Sequence, residues 1–183
     1  AFARDLNLLE SGHPVAAAGA GAVVMGEAKF GGIQSAYLGS NGEYTKLLHL
    51  PGGGSRQPFS QDVLDSRLHF IKMEGNEVFK IAVMSMAEAA QTALRQAGLK
   101  CQDVDWIIPH QANLRIINAV SKRLGFANAS VFLNIDKCGN MSSASTATAL
   151  VEAAQSGQIK KGQNVLLVAF GGGLVWGAII LKW

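Results

Sequence analysis

The stretch that most constrains this chain is DWIIPHQANLRIINAVSKRLG, residues 105–125. An apolar run from Asp105 to Pro109 reads as a short strand. Immediately after it, Leu114, Ile117, Val120 and Leu124 recur at three- and four-residue steps, which puts them on one face of a helix that Gly125 ends. Strand followed by helix is the βα unit, and it requires a layered α/β arrangement in which helices cover a sheet. The change of period repeats downstream. Val131 to Ile135 reads as a strand, DKCGNM as a loop, Ser142 to about Gln155 as a helix of small residues, and NVLLVAF as another strand. Gly171-Gly172-Gly173 separates that strand from the last, LVWGAIILKW, in a hairpin-like return. The sheet is therefore expected to be mixed.

Upstream, VAAAGAGAVVMGEA (Val15 to Ala28) reads as a buried strand in which Gly19 and Gly21 permit close backbone approach. A second strand and a turn at Asn41-Gly42 follow. The glycines and prolines between Leu48 and Gln61 predict a surface loop, and a strand is expected near Leu68 to Met73. Phe79, Val83, Met86, Ala90, Leu94 and Ala97 form the longest helical stripe, with Asn76 as the expected N-cap and Gly98 at the C-terminal end. No short-period repeat or low-complexity linker divides the chain.

Such a fold offers its chemistry at the carboxyl ends of the strands, where loops and helix N-termini converge. Three turns qualify: PHQAN after DWII, CGN after VFLNI, and GGG after VLLVAF. If they lie side by side, His110 and Asn140 can aim hydrogen-bond donors at one carbonyl oxygen while the Gly172 N–H approaches from the glycine loop. That set suits an enolate or a tetrahedral oxyanion. Each residue also has a plainer reading: His110 as a hydrogen-bonded corner residue, Asn140 as a turn asparagine, the glycines as a tight turn, and Cys138 as a small core residue. No activated nucleophile is evident.

Composition narrows the classes. The 183 residues suffice for one domain or a substantial piece of a larger one. At 49% hydrophobic and 16% charged, the chain is not disordered, and the apolar excess hints at a surface meant for a partner. A net charge of +3, from 16 basic and 13 acidic side chains, is too balanced for a general nucleic-acid binder. Two cysteines, Cys101 and Cys138, have neither zinc-ligand nor disulfide-framework spacing, and a reducing cytoplasm fits them. Neither a membrane span nor a signal pattern is expected.

Taken together, DWIIPHQANLRIINAVSKRLG, CGNMSSAS and GQIKKGQNVLLVAFGGGLVWGAIIL resemble the C-terminal half of β-ketoacyl-acyl carrier protein synthase III, the initiating condensing enzyme of type II fatty acid synthesis in the thiolase superfamily. GAGAVV and EGNEVFK match earlier blocks, so the resemblance covers nearly all of residues 1–183 and is weakest over 1–14. It implies the C-terminal half of a layered αβαβα sandwich with a mixed five-stranded sheet. The implied reaction is a decarboxylative Claisen condensation of acyl-CoA with malonyl-acyl carrier protein, with no cofactor and no metal.

By the match, His110 and Asn140 are two of three catalytic residues, and the Gly172 backbone belongs to an oxyanion hole. Gly75, Phe79 and Asn113 line the pantetheine tunnel, although Phe79 also fits the apolar face of its helix. Arg115, Lys122 and Arg123, with Lys80 as a weaker member, form the face that receives the acidic carrier protein; a merely solvated charged face is the plainer alternative. The implied partners are acyl carrier protein, an N-terminal half bearing the nucleophilic cysteine, and a second copy in a homodimer, with no nucleic acid or membrane. Lacking that half's motif, the chain is expected to be part of a longer synthase and inactive alone. Two other functions stay open: a carrier-docking subunit without chemistry, and a related acyltransferase using another acceptor. Ala18, Cys138, Met141 and Leu174 depart from the family's usual residues, which leaves acyl-chain preference open.

Overall fold

The computed structural model describes residues 19–126 and 131–183. Its main sheet has the strand order β1-β6-β5-β4, formed by β1 (Gly32–Ser40), β4 (Trp106–Pro109), β5 (Asn164–Gly171) and β6 (Val175–Lys182). β4 and β5 run parallel; β5, β6 and β1 are antiparallel neighbours, so the sheet is mixed as expected. A second, two-stranded sheet pairs β2 (Leu48–His49) with β3 (Lys72–Met73). The described residues also form five α-helices, α1 (Gln61–Asp65), α2 (Gly75–Gln96), α3 (Leu114–Leu124), α4 (Ile135–Cys138) and α5 (Ala144–Gln155), and two 3-10 helices, Gly42–Leu47 and Cys101–Asp103.

The layers follow from which faces are apolar. α2 is lined with small residues; Ala82, Ala89, Ala90 and Ala93 are fully buried, which lets the helix lie close to the sheet. With α3 it covers one sheet face through Met86, Leu94, Val120, Leu166 and Ile180. α5 packs on the opposite face through Ala149, Leu150 and Ala153 against Ile108 and Val165. Helix, sheet, helix is the resulting order. α5 covers only the β4 end of its face, and the remainder, towards β1 and β6, is left open, with Leu38 82% exposed.

Several expectations need correction. Residues 19–28 form no strand and are exposed, including Val23, Val24 and Met25, because no neighbouring strand among the described residues offers them a ladder. The close approach of Gly19 and Gly21 does hold: an added Cβ would collide with the Met141 side chain and with Ala147. Val15 to Ala18, including the Ala18 departure, lie outside the described residues. Asn76 is not a cap; α2 begins one residue earlier, after Glu74, and has no side-chain cap. Val131 to Ile135 contributes only a parallel bridge between Val131 and Ile107, and the loop DKCGNM opens with α4. Among the described residues the main sheet therefore has four strands plus this bridge, and the expected strand near Leu68 shrinks to β3. Leu114, placed on the apolar face by its spacing, is 45% exposed.

Candidate functional site

β4 ends by delivering His110 to the open side of the sheet. Its backbone N–H continues the ladder to the Val168 carbonyl at 2.8 Å. The ring is half-buried, and Nδ1 lies 2.5 Å from Ser145 Oγ in the first turn of α5. The next residue, Gln111, is fully buried and ties the corner together. Its amide donates to the carbonyls of Pro109 at 2.9 Å and Phe132 at 3.2 Å, and its Oε1 accepts from the Asn134 backbone N–H at 3.2 Å. Asn134 in turn donates through Nδ2 to Glu152 at 3.0 Å, which also accepts from Lys137 at 3.3 Å.

Asn140 follows Gly139, whose φ of 64° and ψ of −165° exclude a side chain. The chain then passes through Ser142, itself at φ 52°. Asn140 Oδ1 accepts from the Ser142 backbone N–H at 2.9 Å. The turn reading of Asn140 and the donor reading are thus compatible, since occupying Oδ1 leaves Nδ2–H as the group the amide can offer.

His110 lines a cleft of about 670 Å³ with Leu38, Ser142, Phe170, Gly171 and Trp176. Asn140 precedes the lining residue Ser142 by two positions in the chain, and Gly172 directly follows the lining residue Gly171. Gly172 is exposed, and an added Cβ would meet nothing nearer than 3.8 Å, so the chain's own packing does not demand a glycine there. An approaching ligand would give the missing side chain a purpose. Cys138 is half-buried and unpaired; burial pushes the Cys101 thiol up, away from a reactive thiolate.

Burial also lowers the His110 pKa below the ordinary imidazole value. As pH falls below about 6.5 the unfolded chain takes up this proton before the native one does, so the unfolded state binds more protons and native stability declines with acidification. The decline should level off below the lower native pKa. Denaturant unfolding of the full protein and its His110→Gln variant between about pH 7.5 and pH 5 should show the native histidine losing ground to the variant; parallel curves would contradict the sign.

The remaining candidates are spread over α2 and α3, with Asn113 and Arg115 at the N-terminal end of α3 and Lys122 and Arg123 at its C-terminal end. Arg115 Cζ lies 5.5 Å from the Phe79 ring centroid, which joins α3 to α2. Asn113 caps α3 by accepting from the Arg115 N–H at 2.8 Å. Gly75 begins α2 in open space, its nearest Cβ neighbour being Met73 at 3.9 Å. Lys122 and Arg123 are exposed in the last turn of α3. Lys80 is paired with Glu77 at 2.7 Å on an exposed surface, which partly spends its charge. Gln111 and Ser145 were not singled out from sequence, although both stand inside the quoted motifs PHQAN and CGNMSSAS. Among the described residues there is no cluster of three or more metal-ligating side chains and no helix long and apolar enough to cross a membrane.

Comparison with known proteins finds synthase III sequences and structures among the matches. A family model described as 3-oxoacyl-[acyl-carrier-protein (ACP)] synthase III C terminal matches residues 94–183. The β-ketoacyl-[acyl-carrier-protein] synthase III of Clostridioides difficile (strain 630) is 52% identical over 165 residues, covering 90% of this chain and 50% of that protein. Its counterpart in Caldanaerobacter subterraneus subsp. tengcongensis is 51% identical over 166 residues, with the same coverage of 90% and 50%. The crystal structure of 3-oxoacyl-[acyl-carrier-protein] synthase III from Aquifex aeolicus VF5 superposes with a TM-score of 0.75 at 38% identity, over 86% of this chain and 46% of that one. The chain spans about half the length of the curated relatives it matches.

Proposed function

From the premise that the chain belongs to the 3-oxoacyl-[acyl-carrier-protein] synthase III family, with that family's thiolase-like layered α/β fold, we propose that it is the C-terminal half of a fatty acid initiation condensing enzyme. The complete enzyme joins the acyl group of acyl-CoA to malonyl-acyl carrier protein and releases 3-oxoacyl-acyl carrier protein, CoA and CO2. What supports this reading is that His110 lines the cleft together with Ser142, two residues after Asn140, whose Oδ1 is already engaged by the Ser142 N–H.

In this reading, an imidazole N–H of His110 and Nδ2–H of Asn140 both donate to the malonyl thioester oxygen. The carbon–carbon bond to the carboxylate breaks, CO2 leaves, and its electron pair becomes an enolate that the two donors stabilise. The enolate carbon attacks an acyl thioester on the cysteine of the N-terminal half. The Gly172 N–H helps hold the tetrahedral oxyanion until the cysteine thiolate departs. Burial favours the neutral imidazole, which still has one N–H to donate.

The N-terminal half is assigned to the open apolar face beside α5, where it supplies the cysteine and excludes water. Gly75, Phe79 and Asn113 are assigned to the pantetheine arm, and Arg115, Lys122 and Arg123, with Lys80 secondary, to the acidic carrier protein. The complete protein is proposed to be cytoplasmic and homodimeric. The experiment is condensation by the complete polypeptide, with Arg115→Glu as its second arm. Charge reversal is expected to weaken use of malonyl-carrier protein by roughly tenfold or more while sparing acyl transfer from acyl-CoA. Absence of any condensation would reject the function, and equal loss with both substrates would reject the docking role.

A further inference from the structure

We propose that Ser145 is a positioning residue for His110: its hydroxyl donates to Nδ1 and thereby holds the ring as the tautomer that carries its proton on Nε2. The assignment of the proton stands on the geometry alone. Its use in decarboxylation rests on the function proposed above.

Hydrogen-bond bookkeeping at one oxygen carries the inference. Ser145 is fully buried, and its Oγ has two described partners, the Gln111 backbone N–H at 3.2 Å and His110 Nδ1 at 2.5 Å. A backbone N–H only donates, so it occupies a lone pair of the hydroxyl. The hydroxyl's single proton is then left with one described acceptor, Nδ1. Were Nδ1 protonated, both partners would donate to Oγ and the hydroxyl proton would be stranded in a site without water access. Nδ1 is therefore the acceptor and Nε2 carries the proton, because the bond made by one ring nitrogen sets the state of the other. Burial favours the neutral ring, in which that choice of tautomer is meaningful.

The surroundings make the arrangement rigid. His110 is anchored by its backbone bond to Val168, Gln111 by its buried amide, and Ser145 by its place in the first turn of α5. With Nδ1 turned to α5, Nε2 on the far side of the ring is the nitrogen left to meet a ligand in the cleft that His110 lines. The Ser145 hydroxyl itself touches no reacting atom in this scheme.

The test is the 15N chemical shifts of the His110 ring in the complete synthase at neutral pH. The expected result is an unprotonated, acceptor-type Nδ1 and a protonated Nε2, with the two signals moving towards one another in Ser145→Ala and the original pattern kept in Ser145→Thr, which retains the hydroxyl. A protonated Nδ1 in the unaltered protein, or a Ser145→Ala spectrum identical to it, overturns the proposal; the first outcome is readable without any variant. In the decarboxylation assay, Ser145→Ala is expected to lower kcat roughly tenfold with little change in KM, and to add no further loss in a His110→Ala background. If the expected spectra appear in a protein that decarboxylates nothing, the function proposed above fails and the positioning of His110 by Ser145 stands.

Discussion

Replacing His110 or Asn140 with alanine in the complete enzyme is expected to lower malonyl decarboxylation by about 10²–10³-fold, the usual cost of removing one preorganised donor from a developing oxyanion. Acyl loading should change only a few-fold. The asymmetry follows from the proposed mechanism, in which decarboxylation uses both side-chain donors on one oxygen and loading uses the cysteine and a backbone N–H. The two variants should not add, since one donor alone holds the enolate poorly and the second loss removes little more. CO2 release and the mass of the acyl-enzyme measure the two steps separately. Decarboxylation within a few-fold of normal in either variant would remove that residue from the mechanism, and parallel loss of both steps would indicate a damaged site.

The elements around the candidate site were legible in the sequence where local chemistry dictates the answer. DWIIP could only be a strand end, because an apolar run stopped by proline leads straight into a helical period. Gly98 and Gly125 closed their helices as expected, with φ of 68° and 75°. Asn113 drew attention for another reason and proves to be the cap of α3. By contrast, residues 131–135 carry a strand-like apolar pattern, yet tertiary contacts interrupt it: the Asn134 N–H goes to Gln111, and α4 starts at Ile135. Gln111 itself was unreadable as a structural centre, since nothing in periodicity distinguishes a buried loop amide from a solvated one. Ser145 lay hidden among small residues whose pattern only announced a close-packed helix. The open face next to α5 was anticipated from the apolar excess, although composition could not say which face it was.

Gln111 also carries the largest expected effect on stability. Its side chain has no exposed surface and three backbone partners drawn from β4, Phe132 and Asn134. Gln111→Ala removes those partners together and leaves a void, and a loss of about 3–5 kcal/mol in the folding stability of the complete protein is expected. Gln111→Met separates the contributions: it refills most of the volume but satisfies neither the Phe132 carbonyl nor the Asn134 N–H, so about 2 kcal/mol of the loss should persist. A surface change such as Lys80→Ala, which breaks only an exposed pair with Glu77, should cost no more than about 0.5 kcal/mol. Denaturant midpoints with unchanged slopes would establish the order. Because Asn134 opens α4, and the end of α4 leads into Gly139 and Asn140, the methionine variant should also decarboxylate more slowly than its stability loss accounts for at temperatures where it is fully folded. If it is stable to within about 0.5 kcal/mol of the unaltered protein, the buried amide is not what holds the corner, and the placement of His110 and Asn140 must come from the packing of α5 alone.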